Sequence, residues 1–442
     1  MTVEADAGLA GALTEARRRY ADANPRSSAA FESACADMPG GNTRTVLFHE
    51  PFPLRIQRGS GARLWDVDGH QYVDFLGDFT AGLFGHSEPA IGEALRRALD
   101  GGLALSGHNT LEARLARGIC ARFPSIDLIR FTNSGTEANL LALALAVAVT
   151  GRRGVLVFDG AYHGSLLAFA GGGAVTNVPH DWIVGTYNDQ AGTDALFDRH
   201  GPELAAVLVE PMLGSGGCVP GDPEFLRLLR RRTLECGALL VFDEVMTSRL
   251  APGGRQAELS IRADLTTLGK YFGGGSSFGA FGGRADVMSA FDPRRPDALT
   301  HAGTFNNNVL TMSAGLAALD VLTPAAMAEL NARGDRLRTR LTDLAAGLPM
   351  RFTGLGSLMT VHFTDLPVRN GADVAAADQG LKELLYFDLL NAGIYTARRG
   401  MSALSLPVGD AECDAMISAV AEFIDRRHAL LRTHSRSSAH SL

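Results

Sequence analysis

Lys270 ends the apolar run Leu265-Thr266-Thr267-Leu268-Gly269 and opens a glycine-rich loop; it is one of only two lysines among 41 basic residues, the other being Lys382. An amine at the end of a buried strand is poorly solvated, so its neutral form is favoured and it becomes a nucleophile toward an aldehyde. The flanks alone fit a solvated loop lysine equally well. Asp243 and Glu244 follow directly on a second apolar run, Ala238 to Phe242, and the next basic residue is Arg249. A buried acid needs a cation or hydrogen-bond donors, or it neutralises. The cationic nitrogen of a pyridine ring would serve. An acid capping the following helix is the plainer reading for one such residue, and it accounts less well for the pair.

Three further segments carry suitable chemistry. In Thr132-Asn133-Ser134-Gly135-Thr136-Glu137-Ala138-Asn139, hydroxyls, a glycine and free backbone N–H groups at a helix start form a phosphate cradle. Taken alone, Ser134 with Glu137 is more simply a helix N-cap with a capping-box glutamate. Tyr162, in Ala161-Tyr162-His163-Gly164, places an aromatic ring near the same mouth, and Glu210-Pro211 follows Val207-Leu208-Val209. An anion site, a ring, an acid and a lysine together meet the needs of pyridoxal phosphate, which requires an anchor for its phosphate, an amine for its aldehyde and an acid for its ring nitrogen.

The elements that must position these residues are short apolar runs alternating with helical stretches between about residues 129 and 281: Ile129 to Phe131, Gly154 to Phe158, Ala205 to Val209, Ala238 to Phe242 and Leu265 to Leu268. Buried strands separated by helices predict an α/β fold whose mostly parallel sheet is flanked by helices on both faces, with ligands outside the carboxyl ends of the strands. The texture differs on either side. A helical opening from Leu9 to Ala30 precedes the strand-like pieces Arg63 to Trp65 and Gln71 to Val73. After Pro324 come a charged helix (325–344), a strand-like segment (357–363) and helices over 374–390 and 410–431. The expected division is an amino-terminal segment (1–75) that contributes to a smaller α+β domain, a large domain (76–322), the carboxyl-terminal α+β domain (323–431) and a disordered tail (432–442).

At 442 residues the chain is long enough for such an arrangement. A net charge of −7 gives no electrostatic reason to expect nucleic acid or an anionic membrane as a partner. Five scattered cysteines without a CxxC suit a reducing compartment. The start of the chain carries Glu4 and Asp6 rather than a basic segment and an apolar core, and the longest apolar stretch, Leu140 to Val149, falls short of the roughly 20 residues that a membrane span needs. A cytoplasmic location is expected. No metal site is read from the His and Cys spacing. Gly275-Ser276-Ser277-Phe278-Gly279 matches the GxSxG of hydrolases, but that motif needs a strand before it and a helix after it, and here it follows a glycine-rich loop and leads into a strand-like run.

Taken in order, Ser134-Gly135-Thr136-Glu137-Ala138, Tyr162-His163-Gly164, Asp243-Glu244-Val245-Met246-Thr247, Leu268-Gly269-Lys270 and Gly303-Thr304-Phe305-Asn306-Asn307-Asn308 resemble the motif series of class III aminotransferases, from about residue 15 to 430. Met38-Pro39-Gly40-Gly41-Asn42-Thr43-Arg44, Thr247-Ser248-Arg249-Leu250-Ala251-Pro252 and Leu404-Ser405-Leu406-Pro407 are similar to the aromatic β-amino acid members, with glutamate-1-semialdehyde aminomutases as relatives. The resemblance implies the fold-type I architecture of pyridoxal-phosphate enzymes and a homodimer with shared sites. It implies that Lys270 binds the cofactor aldehyde and later shuttles a proton, and that Asp243 pairs with the ring nitrogen. Ser134, Gly135 and Thr136 would hold the phosphate, with Thr304 reaching it from the neighbouring subunit. Tyr162 and Val245 would cover the two ring faces, with Glu210 nearby. Arg44 would take the carboxylate of a β-amino donor and Arg399 the α-carboxylate of a keto-acid acceptor such as 2-oxoglutarate or pyruvate. Arg398 is adjacent to Arg399, and Met401 stands where an aromatic residue would suit an aryl-selective member. An aminomutase, or a transaminase of amines without a carboxylate, is the alternative within the same cofactor class.

Overall fold

The computed structural model describes residues 2–438. Its centre is a seven-stranded sheet in the spatial order Leu128–Thr132, Gly279–Gly283, Leu265–Gly269, Leu239–Asp243, Leu204–Val209, Gly154–Phe158, Asp181–Gly185. Six strands run one way; Gly279–Gly283 pairs antiparallel with both of its neighbours. Side chains alternate across a strand, and both faces of this sheet are covered. Val155 and Val157 pack with Ala142, Leu143 and Ala146 of the helix Gly135–Thr150. Leu156 and Phe158 pack on the other side with Phe225, Leu226 and Leu229 of Pro223–Cys236. Burial on both faces is why the strands read as unbroken apolar runs.

The antiparallel strand explains a stretch whose composition is poor for a strand. A Cβ on Gly279 would collide with the carbonyl oxygen of Ser134, so only glycine lets this strand lie against the loop that opens Gly135–Thr150. Two expected helices are each broken in two. The opening helix is Thr2–Ala23 followed by Pro25–Cys35, because Pro25 has no N–H to continue the ladder and is suited to a first turn. The stretch 374–390 divides into Gly371–Ala376 and Gln379–Asn391, where Asp378 caps the second helix by accepting from the Leu381 N–H. The last helix, Asp410–Ser438, extends past Leu431 into the segment expected to be disordered, since a formed helix adds residues at little cost. Residues 439–442 lie outside the described residues.

The two ends of the chain meet. Ile56–Ser60, Arg63–Asp66 and Gln71–Asp74 form a meander to which Ile394–Tyr395 adds in parallel, with Ile394 opposite Val73. Thr2–Ala23 lies on Gln379–Asn391 through an Arg17–Glu383 ion pair at 2.6 Å and the Tyr20 and Phe387 rings 5.4 Å apart. Arg351–Leu355, Leu358–His362 and Met401–Ala403 make a third sheet that carries Arg399 at its edge.

The second lysine is a core residue. Lys382 is 3 % exposed, and its Nζ lies 3.4 Å from Nδ1 of His362. Burial, with Arg399 adding to it, lowers its pKa to about 8, and burial next to Lys382 lowers that of His362 to about 4. His362 is therefore neutral at pH 7, and Lys382 gives up its proton only as the pH rises through about 8. Between pH 8 and the ordinary lysine value of 10.5 the unfolded chain holds a proton that folded Lys382 has released, so stability should rise with pH across that window. Lys382→Met should be more stable at pH 7 by on the order of 3 kcal/mol and lose this contribution to the slope. Urea unfolding at pH 7, 8.5 and 10 checks it; an unchanged slope would mean that Lys382 keeps its proton.

Candidate active site

Lys270, Asp243, Glu210 and the Ser134–Thr136 turn all follow the carboxyl ends of sheet strands. They surround a cavity of about 560 Å³ lined by Arg44, Gly135, Thr136, Tyr162, Glu210, Asp243, Val245, Lys270 and Arg399 among the expected residues. Phe79, Asn139, His163, Gly164 and Ser215 also line it.

Lys270 has a left-handed backbone, φ +56°, and its Nζ donates to the Phe79 carbonyl oxygen at 2.6 Å. Burial lowers its pKa to about 8, helped by the nearby Arg399 cation and opposed by Asp78, Asp243 and Glu210. The amine is thus substantially neutral just above physiological pH, as a nucleophile and proton carrier requires.

Asp243 is 4 % exposed. Its Oδ2 accepts from His163 Nδ1 and Asn139 Nδ2, each at 2.8 Å, and its Oδ1 accepts from the Val245 N–H at 3.0 Å. Asn139 is itself fixed, since its Oδ1 accepts from the Thr267 hydroxyl at 2.7 Å. Glu244, the other acid of the pair, turns away from the cavity. It accepts from the Thr247 hydroxyl and from the N–H groups of Arg255 and Gln256, and so caps Gly254–Leu259. Burial raises its pKa. One carboxylate of the pair therefore faces the site and the other does the capping.

Glu210 takes the N–H of Tyr162 at 3.0 Å and that of Gly214 at 2.9 Å, which ties the Tyr162 loop to the strand end; burial raises its pKa. Val245 fills the space beside two glycines: a Cβ on Gly135 would lie 3.0 Å from its Cγ2 and one on Gly269 3.2 Å from its Cγ1. Gly164, at φ +127°, packs so closely on Thr136 that any Cβ there would collide with the threonine hydroxyl. Ser134 departs from the expected set. Its hydroxyl accepts from the Glu137 N–H at 3.2 Å and caps the helix, and the side chain does not line the cavity. Thr304 also lies outside it, in the exposed segment 302–305. That segment is tethered to the helix start by Asn306, whose Oδ1 accepts from Asn133 Nδ2 at 2.9 Å.

The two arginines flank one ring. The Arg44 guanidinium lies 5.6 Å and that of Arg399 5.0 Å from the centre of Phe79. Arg44 Nη1 donates to Asp78 Oδ1 at 2.7 Å, whereas Arg399 Nη1 donates to the Ser215 hydroxyl at 2.7 Å. Arg398 turns toward Glu383, 3.5 Å away, and does not line the cavity. Sequence reasoning missed Phe79, Asp78, Asn139 and Ser215, and left His163 without a role. Asn139 carried a signal, as a polar residue in an otherwise apolar helix, and so did His163 through its neighbour Tyr162; Phe79 and Asp78 carried none. The GxSxG match follows a 3-10 turn, Lys270–Gly273, and runs into the strand Gly279–Gly283, the reverse of a nucleophile elbow.

This set fits pyridoxal phosphate. The start of Gly135–Thr150 offers N–H groups without intrahelical acceptors, Asp243 offers an anion, Lys270 an amine and Tyr162 a ring, all around one cavity. The family model described as "Aminotransferase class-III" matches residues 48–424, and the chain belongs to that family: it is a pyridoxal-phosphate-dependent aminotransferase of fold type I. It is 56% identical over 428 residues to the β-phenylalanine transaminase of Variovorax paradoxus, covering 96% of this chain and 98% of that one. The crystal structure of a β-phenylalanine aminotransferase from Variovorax paradoxus superposes with a TM-score of 0.94 over 96% of this chain and 99% of that one. A glutamate-1-semialdehyde 2,1-aminomutase from Sorangium cellulosum is 42% identical over 402 residues, 86% of this chain and 92% of that one.

Proposed function

We propose that this aminotransferase moves the amino group of a β-amino acid of the β-phenylalanine kind to an α-keto acid, 2-oxoglutarate or pyruvate, in two half reactions that share one site. The observation that carries this reading is the pair of arginines, Arg44 and Arg399, at one ring in the cavity that holds Lys270. A guanidinium offers a planar fork to a carboxylate and fixes orientation as well as charge. Two such forks suit an enzyme that must recognise a carboxylate in each half reaction. The 56% identity to a β-phenylalanine transaminase supports the donor class.

Bound pyridoxal phosphate supplies an aldehyde that takes the amino group and a ring that accepts the electron pair when the C–H bond breaks. The chain does the rest. Lys270 Nζ would hold the aldehyde carbon at rest and, as a free amine, would take the proton from the amine-bearing carbon of the donor and give it to the carbon that had carried the aldehyde. Asp243, fixed by His163 and Asn139, would face the ring nitrogen as an anion. Gly135 and Thr136, with Ser134 capping the same helix start, would hold the phosphate, and Tyr162 and Val245 would cover the ring faces. Glu210 keeps the Tyr162 loop in place. Residues 76–322 form the cofactor-binding domain, and residues 1–75 join 323–431 in the smaller one. A second copy completes each site by bringing Thr304 to the phosphate; the exposed segment 302–305, with Phe305 69 % exposed, supports this, and light scattering should return twice the 46.7 kDa of one chain. We place the protein in the cytoplasm, a reading supported by its five free thiols. No single helix among the described residues is long and apolar enough to cross a membrane.

Arg44→Ala should raise the KM for β-phenylalanine on the order of 10- to 100-fold, the value of charged hydrogen bonds to a carboxylate. Steady-state assays with 2-oxoglutarate check it. Turnover of glutamate 1-semialdehyde without any keto acid, or a KM unmoved by the substitution, would overturn the reading.

A further inference from the structure

Residues 77–80 form a left-handed turn, with φ of +52° at Gly77, +44° at Asp78, +52° at Phe79 and +80° at Thr80. The turn is fixed at both ends. The Gly82 N–H donates to the Gly77 carbonyl at 2.8 Å, and the Phe79 carbonyl accepts from Lys270. Phe79 and Thr80 are buried, whereas the Asp78 side chain is exposed and lies on Arg44. Arg399, at the same ring, makes no ion pair with a carboxylate among the described residues; its side-chain hydrogen bonds go to the Ser215 hydroxyl and the Met401 sulfur.

We propose that Asp78 tunes the donor-carboxylate site as a built-in competitor, a carboxylate that occupies Arg44 until a donor carboxylate displaces it. The inference rests on the reading of Arg44 as the donor site. The Asp78 contact uses one guanidinium nitrogen and one oxygen, whereas an incoming carboxylate can use both prongs of the fork. The resident pair is also open to solvent, with side chains 47 % and 56 % exposed, so it is weak and is displaced at small cost. A donor without a carboxylate leaves the pair closed and gains nothing from Arg44. Asp78 therefore lowers the affinity for every carboxylate that binds at Arg44 by a fixed factor and keeps Arg44 from standing as a bare cation when none is bound.

Asn tolerates the left-handed conformation as Asp does, so Asp78→Asn keeps the turn and removes the charge. The probe is 3-phenylpropanoate, a donor analogue without the amine, titrated calorimetrically into the parent, Asp78→Asn and Arg44→Ala holoenzymes. Asp78→Asn should bind it about two- to fivefold more tightly, with a parallel fall in the KM for β-phenylalanine, and Arg44→Ala should lose most of the binding. If Arg44→Ala loses binding while Asp78→Asn binds no better than the parent, Asp78 only positions Arg44 and the proposal is wrong. If Arg44→Ala binds like the parent, the donor-site reading fails and takes the proposal with it.

Discussion

Lys270→Ala is expected to lower turnover at least about 10⁴-fold, because the proposed function gives this one amine two tasks, covalent attachment of the cofactor and proton transfer. Lys270→Arg should be equally inactive: a guanidinium cannot give up its proton in a protein, so a cation of nearly the same reach brings back neither task. Burial, reinforced by Arg399, lowers the amine to about pKa 8, which sets the sign of the pH dependence. A step that needs neutral Nζ speeds up as pH rises through 8 and then levels off. Single-turnover rates from pH 6.5 to 9.5 test this, and dialysis followed by absorbance tests retention of the cofactor. Residual turnover within a hundredfold of the parent in either variant would mean that another group carries the proton.

The second large effect is expected at Asp243. Asp243→Asn removes the anion facing the cavity and leaves one acceptor oxygen where the carboxylate has two, so it cannot accept from His163 Nδ1 and Asn139 Nδ2 and also from the Val245 N–H. Deleting one partner of a buried charged pair costs about 3–5 kcal/mol, which corresponds to a fall in kcat of roughly 10²- to 10⁴-fold. The loss should fall on kcat rather than on the KM for either carboxylate substrate, because both arginines remain. Steady-state kinetics of the two half reactions separate these parameters. A fall of less than tenfold would show that the ring nitrogen does not depend on this acid.

These two residues were legible because each directly follows an apolar run, and the end of a buried strand in an α/β sheet is where a ligand sits. The runs were legible because a strand covered on both faces shows no polar interruption. Gly279–Gly283 was hard to read for the opposite reason: its residues are chosen for what they leave out, the Cβ that would strike Ser134. The two broken helices kept their periodicity across the break, so pattern alone ran them together, although Pro25 marked one of the joints. Ser134 shows the limit of local motifs, since one short segment serves as a cap and borders an anion site at once. The turn that carries Asp78 and Phe79 was invisible, because its meaning lies in contacts to Arg44, Lys270 and Arg399, which are distant in the chain and meet only in the fold.

That turn has a consequence for how the enzyme can change. One aromatic ring supports both cations, and the backbone oxygen of the same residue anchors the amine. A substitution that shifts Phe79 to admit a new donor would also displace Arg399, the proposed seat of the acceptor, and Lys270, the proposed proton carrier. Donor range, acceptor range and rate are therefore inherited together, and a variant selected for one will carry changes in the other two.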